Sequence, residues 1–142
     1  MALLSPEPQS PVRTGFRWLL GAILAFAGFS HLTVARKTFQ AQVPEWVPLN
    51  KDLVVVLSGL VEITLGTALV APLPCRPTVG WIVGAFFVAI FPGNVNQYVN
   101  RIDAFGLNTD RMRFIRLFFQ PLLVLWALWC TGAWPAERRN RA

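Results

Sequence analysis

Long apolar runs separated by short polar clusters organise this chain. The cleanest run is Asp52–Ala71, DLVVVLSGLVEITLGTALVA, where Glu62 is the one charged residue after Asp52. About 20 residues rising about 1.5 Å each cross the roughly 30 Å hydrocarbon layer of a bilayer. Runs of the same character lie on either side, so the pattern predicts four spans at about 15–35, 52–71, 79–98 and 114–134. No stretch alternates with the period of two that a strand needs. Four spans joined by short loops predict an all-α fold, an integral membrane antiparallel four-helix bundle occupying residues 15–134 as one domain. Residues 1–14 hold three prolines and few apolar groups and read as a flexible tail; residues 135–142 read as a polar one. The first run continues past the Ala25-Phe26-Ala27 box, which favours a spanning helix over a cleaved signal peptide.

Within the spans the small residues are placed at helical spacing. Gly21, Ala25 and Gly28 recur on the first, and Ser58, Glu62 and Gly66 form a stripe on the second with Gly59 beside it, which lets a neighbour approach closely. Pro92-Gly93 and Pro121 fall inside the third and fourth spans, where proline removes a backbone donor and predicts a kink. The loop at 36–51 carries Trp46 between Pro44 and Pro48. Indole prefers the head-group level, so Trp46 is expected to be an interfacial anchor in a segment that lids the bundle.

Composition sharpens the picture. Hydrophobic residues make up 54% of the 142 residues and charged residues 14%, about half the charged share of a soluble domain. The net charge of +6 comes from arginines at the ends of apolar runs, such as Arg36, Arg111 and Arg138. That is where a membrane protein meets phosphate head groups, and no basic, aromatic-interleaved surface remains for nucleic acid. The expected partner is the lipid bilayer. Lysine and arginine divide almost evenly between the two faces, so charge does not orient the chain; cytoplasmic termini are the expectation adopted. Cys75 and Cys130 stand in no redox or zinc spacing, and one His with one Glu makes a poor metal site, so no metal is expected.

The polar residues inside the spans carry the candidate chemistry. Counted along the helices, His31, Glu62, Asn94, Asn96, Arg116 and Gln120 all lie within roughly 15 Å of the face that holds the loops 36–51 and 99–113. Intramembrane ionisable groups face a bundle interior or a watery cavity. Two readings follow. In one, these six residues line a polar pocket with Glu62 as its floor. In the other, they form a hydrogen-bonded network that holds the helices in register. Arg116 is open to a third, snorkelling to the interface.

Five segments, FAGFSHL at 26–32, VPEWVP at 43–48, SGLVEITLG at 58–66, FPGNVNQYVN at 91–100 and RLFFQPLLVLWALW at 116–129, resemble the DoxX-like family of small bacterial four-helix membrane proteins. The resemblance implies a multi-pass protein of the bacterial cytoplasmic membrane with shared polar residues at His31, Glu62, Asn94, Arg116 and Gln120. Relatives in that family are associated with thiosulfate oxidation and quinone reduction, with membrane redox complexes, or with accessory roles. The expectation for this chain is a ligand-binding or accessory subunit of a membrane redox system, its pocket taking a quinone or a lipid and its partners being redox proteins. The alternatives are an enzyme subunit in which Glu62 and His31 transfer protons, and a small proton or solute transporter acting as a homo-oligomer.

Overall fold

The computed structural model describes residues 9–33, 40, 43–71, 75–102 and 109–134, and among these all regular structure is helical. Four long helices follow one another: α1 (Pro11–Leu32), α2 (Lys51–Val70), α3 (Arg76–Val99) and α4 (Asp110–Thr131). Each is long and apolar enough to cross a membrane. Expectations that fall on Arg36, Lys37 or the two tails at 1–8 and 135–142 lie outside the described residues.

The helix ends differ from the apolar runs because polar caps, not hydropathy, set them. α1 starts at Pro11 rather than at residue 15: Ser10 accepts from the Arg13 amide at 3.3 Å, and Pro11 fills the first helical position. Part of the expected tail is therefore helix. In α2 the Asn50 side chain accepts from the Asp52 amide at 2.8 Å. α4 starts at Asp110 because Thr109 accepts from the Met112 amide at 3.2 Å, and it stops at Gly132, whose φ of 75° ends a helix at no cost to a side chain. Arg76, expected in a loop, opens α3 instead. α3 runs unbroken through Pro92, as α4 does through Pro121. Each proline deletes only one bond of a long ladder, and the bonds on either side hold the helix together.

The helices associate as two tight pairs. α1 meets α2 backbone to backbone: a Cβ added to Gly21 would stand 2.7 Å from the Gly66 carbonyl oxygen, and one added to Gly28 would stand 2.5 Å from that of Gly59. α3 meets α4 at Gly80, where a Cβ would collide with Thr131. Contacts of α1 with α4 and of α2 with α3 join the pairs more lightly. One end of the assembly is solid. Leu65, Leu69, Val79 and Val83 pack there with Ala127 and Cys130 in a buried cluster that extends through Leu20, Leu24 and Phe87. The same end is stitched by polar side chains: Arg17, itself buried, donates to the Leu69 carbonyl and to Gln9, and Arg13 donates to the Trp129 carbonyl while lying over its ring. Large apolar side chains also cover much of the outside, Phe26, Phe29, Phe118 and Leu122 among the most exposed.

Candidate functional site

At the other end the packing opens into a cavity of about 480 Å³, within the range of small-molecule sites. Its walls are mostly apolar: Leu20, Ile23, Leu24 and Ala27 from α1, Phe87, Ala89 and Ile90 from α3, and Leu123 from α4. Val43, Pro44, Trp46 and Val47 cover it from the segment before α2. Trp46 is 73% exposed, so the expected interfacial anchor is also a cavity wall. Gln40 donates to Asp52 at 2.8 Å and Lys51 pairs with Glu45, which ties this covering segment to the start of α2.

Two groups of polar side chains interrupt the apolar lining. The first is His31 on α1 with Ser58 and Glu62 on α2. Gly59 makes it geometrically possible, because His31 packs into the space its missing side chain leaves. Hydrogen-bond accounting then fixes the imidazole. Ser58 donates its hydroxyl to the Val55 carbonyl at 2.9 Å, so its oxygen accepts from His31 Nδ1, also at 2.9 Å. Nδ1 lies 3.4 Å from the same Val55 carbonyl, which can only accept. Nδ1 therefore carries a proton, and in a neutral ring Nε2 presents its lone pair.

That lone pair faces Glu62. Nε2 and Oε2 are 3.2 Å apart with 9% and 6% of their side chains exposed. The approach is close enough for an ion pair, yet it lacks hydrogen-bond alignment, and Oε2, fully buried, has no other hydrogen bond. An ionised carboxylate set against a lone pair in an apolar wall would cost on the order of several kcal/mol. A proton on either atom removes that cost. The pair is then neutral overall, as a carboxylic acid beside imidazole or as a carboxylate beside imidazolium.

The second group joins α3 to α4. Gln120, 2% exposed, donates to the Phe87 carbonyl at 2.6 Å, and its Oε1 accepts from Asn94 Nδ2 at 3.1 Å and from Arg116 Nη1 at 3.5 Å. Arg116 has no ion-pair partner among the described residues. It is half-buried and lines the cavity rather than reaching away from it.

Of the six residues expected in the pocket, His31, Glu62, Asn94, Arg116 and Gln120 line it and Asn96 does not. Two residues on a helix are about 200° apart in azimuth. Asn96 therefore points away from Asn94 and accepts from Asn100 at 2.6 Å. Gln97, three residues beyond Asn94 and so on its face, is the buried amide instead; it donates to the Ile102 carbonyl at 3.2 Å and ties down the end of α3. The i+3 spacing identifies it from the sequence. Arg113 lies outside the cavity and pairs with Asp110 at 3.1 Å.

These features define a class: a four-helix chain, composed for membranes, with a covered internal cavity that carries two separate polar groups. Residues 20–131 match a family described as a domain of unknown function, DUF8561, and the chain belongs to that family. No curated protein and no solved structure matches it.

Proposed function

We propose that this chain is a multi-pass protein of the bacterial cytoplasmic membrane that holds a small lipid-soluble molecule, a quinone or a lipid, as a binding or accessory subunit of a membrane redox system. The observation that carries the reading is the cavity: about 480 Å³, largely apolar, and supplied with acceptors and donors from all four helices. The belt of exposed apolar side chains supports insertion in a bilayer, and residue contacts that climb one helix while descending its partner, Gly21 with Gly66 and Gly28 with Gly59, support antiparallel spans. The DoxX-like segments supply the redox setting, and the first polar group is compatible with it, since His31 and Glu62 stand 3.2 Å apart in the cavity wall, close enough to share a proton.

Native mass spectrometry of the detergent-purified chain tests it. A retained small molecule is expected in the wild type and is expected to be lost in Ala27→Phe, which fills the cavity; no retained molecule, or equal retention in both, defeats the proposal. The same His31–Glu62 contact favours one alternative, proton transfer in an enzyme. A turnover with a quinone or a sulfur compound that vanishes in Glu62→Gln, while the bound molecule stays, would favour that alternative.

A further inference from the structure

The ligand that the cavity holds can be narrowed by counting its charge, an argument that rests on the ligand-binding reading above. Among the described residues, three ionisable side chains line the cavity: His31, Glu62 and Arg116. The first two sit on α1 and α2 with Nε2 and Oε2 3.2 Å apart, and with one proton between them the pair is neutral. Arg116 stands on α4, with no carboxylate of the described residues within 4.0 Å and one long bond, 3.5 Å, to a neutral amide. The described lining thus bears a net charge of +1, all of it on one guanidinium.

A guanidinium in an apolar wall with one weak bond is poorly compensated, since it offers five N–H donors and keeps its charge at any pH that the chain survives. The chain places a hydrogen-bond acceptor, Gln120 Oε1, at its edge, and that oxygen already accepts from Asn94 at 3.1 Å. The remaining donors have no acceptor among the described residues. The rest of the described lining is largely apolar, with Leu123, Ile90, Leu24 and Ala27 among it.

We infer that the cavity takes a single-chain amphiphile with an anionic oxygen head, the head on Arg116 and the tail along the α1 and α3 walls. A carboxylate matches the forked guanidinium with two parallel bonds, and its charge cancels the one the cavity carries. The neutral His31–Glu62 pair then leaves the head unopposed by a second anion. Glu62 bounds the site without binding the head.

The probes are laurate and 1-dodecanol, which share a tail and differ in the charge of the head. Binding is followed by tryptophan fluorescence of the full chain in a neutral detergent, since Trp46 lines the cavity. Laurate is expected to bind at least about tenfold more tightly than dodecanol, the difference that one charge-assisted contact makes. Arg116→Gln is expected to bring laurate binding down to about that of dodecanol, whereas Arg116→Lys keeps much of the preference. Equal binding of laurate and dodecanol to the wild type overturns the inference while sparing the cavity. So does a laurate preference that survives in Arg116→Gln. If neither probe binds, both this inference and the ligand-binding reading fall. Circular dichroism of Arg116→Gln accompanies the titration, and retained dodecanol binding is the check that its cavity is intact.

Discussion

Gly59 lies so close under His31 that a Cβ on the glycine would stand 2.8 Å from the histidine Cβ and 2.9 Å from the Gly28 carbonyl oxygen. The position of the imidazole beside Glu62 therefore depends on the absence of a side chain one turn away on the neighbouring helix. Gly59→Ala is expected to force α1 and α2 apart and to cost about 1–3 kcal/mol, as overpacking does. Gly15, where an added methyl group would meet nothing within 4 Å, is the control. There, alanine is expected to be neutral or to stabilise by up to about 1 kcal/mol. Thermal unfolding in detergent, followed by circular dichroism, separates the two. A Gly59→Ala protein as stable as the wild type would sink the packing argument.

The state of His31 is open to direct observation because it is the only histidine of the chain. Nitrogen NMR of protein labelled at histidine is expected to show a ring protonated at Nδ1, alone or with Nε2 as well. A ring protonated at Nε2 alone would contradict the bonds to Val55 and Ser58. In Glu62→Gln the amide can donate to Nε2 and replace the shared proton. That variant is expected to fold, with its histidine held in the neutral Nδ1-protonated form.

Asn94 and Asn96 offer a test of direction on one helix. Asn94→Ala removes a donor from Gln120 in the cavity wall. It is expected to cost about 0.6–1.7 kcal/mol, between the average and the maximum measured for hydrogen bonds between transmembrane helices. Asn96→Ala breaks a bond to the exposed Asn100 and is expected to stay within about 0.5 kcal/mol of the wild type. Gln120→Leu leaves a buried Phe87 carbonyl without that amide, and it is expected to exceed both. Unfolding in a mixed-detergent titration ranks the three, and an Asn96 effect as large as that of Asn94 would refute the assignment.

At the solid end, Gly80 and Gly84 make a matched pair. A Cβ on Gly80 would meet Thr131, whose hydroxyl donates to the Ala127 carbonyl at 2.7 Å, while one on Gly84 would find its nearest neighbours at 3.6 Å. Alanine is expected to destabilise at Gly80 by about 1–3 kcal/mol and to be neutral or mildly stabilising at Gly84. Adding Thr131→Ala to Gly80→Ala recovers part of the loss. Equal losses at both glycines would mean that α3 and α4 do not meet at Thr131.

The helices were legible because apolar runs of spanning length are rare for any other reason, and Glu62 stood out because nothing near it in sequence shares its charge. Five of six pocket residues followed from depth along the helix axis. Asn96 did not, because depth ignores azimuth: two positions nearly level in height face opposite ways around the helix. The true start of α1 at Pro11 escaped a hydropathy reading, since Ser10 and Pro11 are set by backbone donors rather than by apolar content. Which helices pair tightly was written in Gly21, Gly28, Gly59 and Gly66, whose spacing announced a close neighbour but not its identity. The proton on His31 Nδ1 could not be read at all from the chain, because it follows from a serine hydroxyl and a carbonyl that only folding brings to that nitrogen.

The tight pairs join helices that are consecutive in the chain, α1 with α2 and α3 with α4. Each pair can close on its own as soon as it is made, through contacts near in sequence that form early. The first polar group belongs wholly to one pair and the second wholly to the other. The cavity has no existence in either half. It needs both pairs at once, so a change that loosens the lighter contacts between the pairs would open the cavity without touching either polar group.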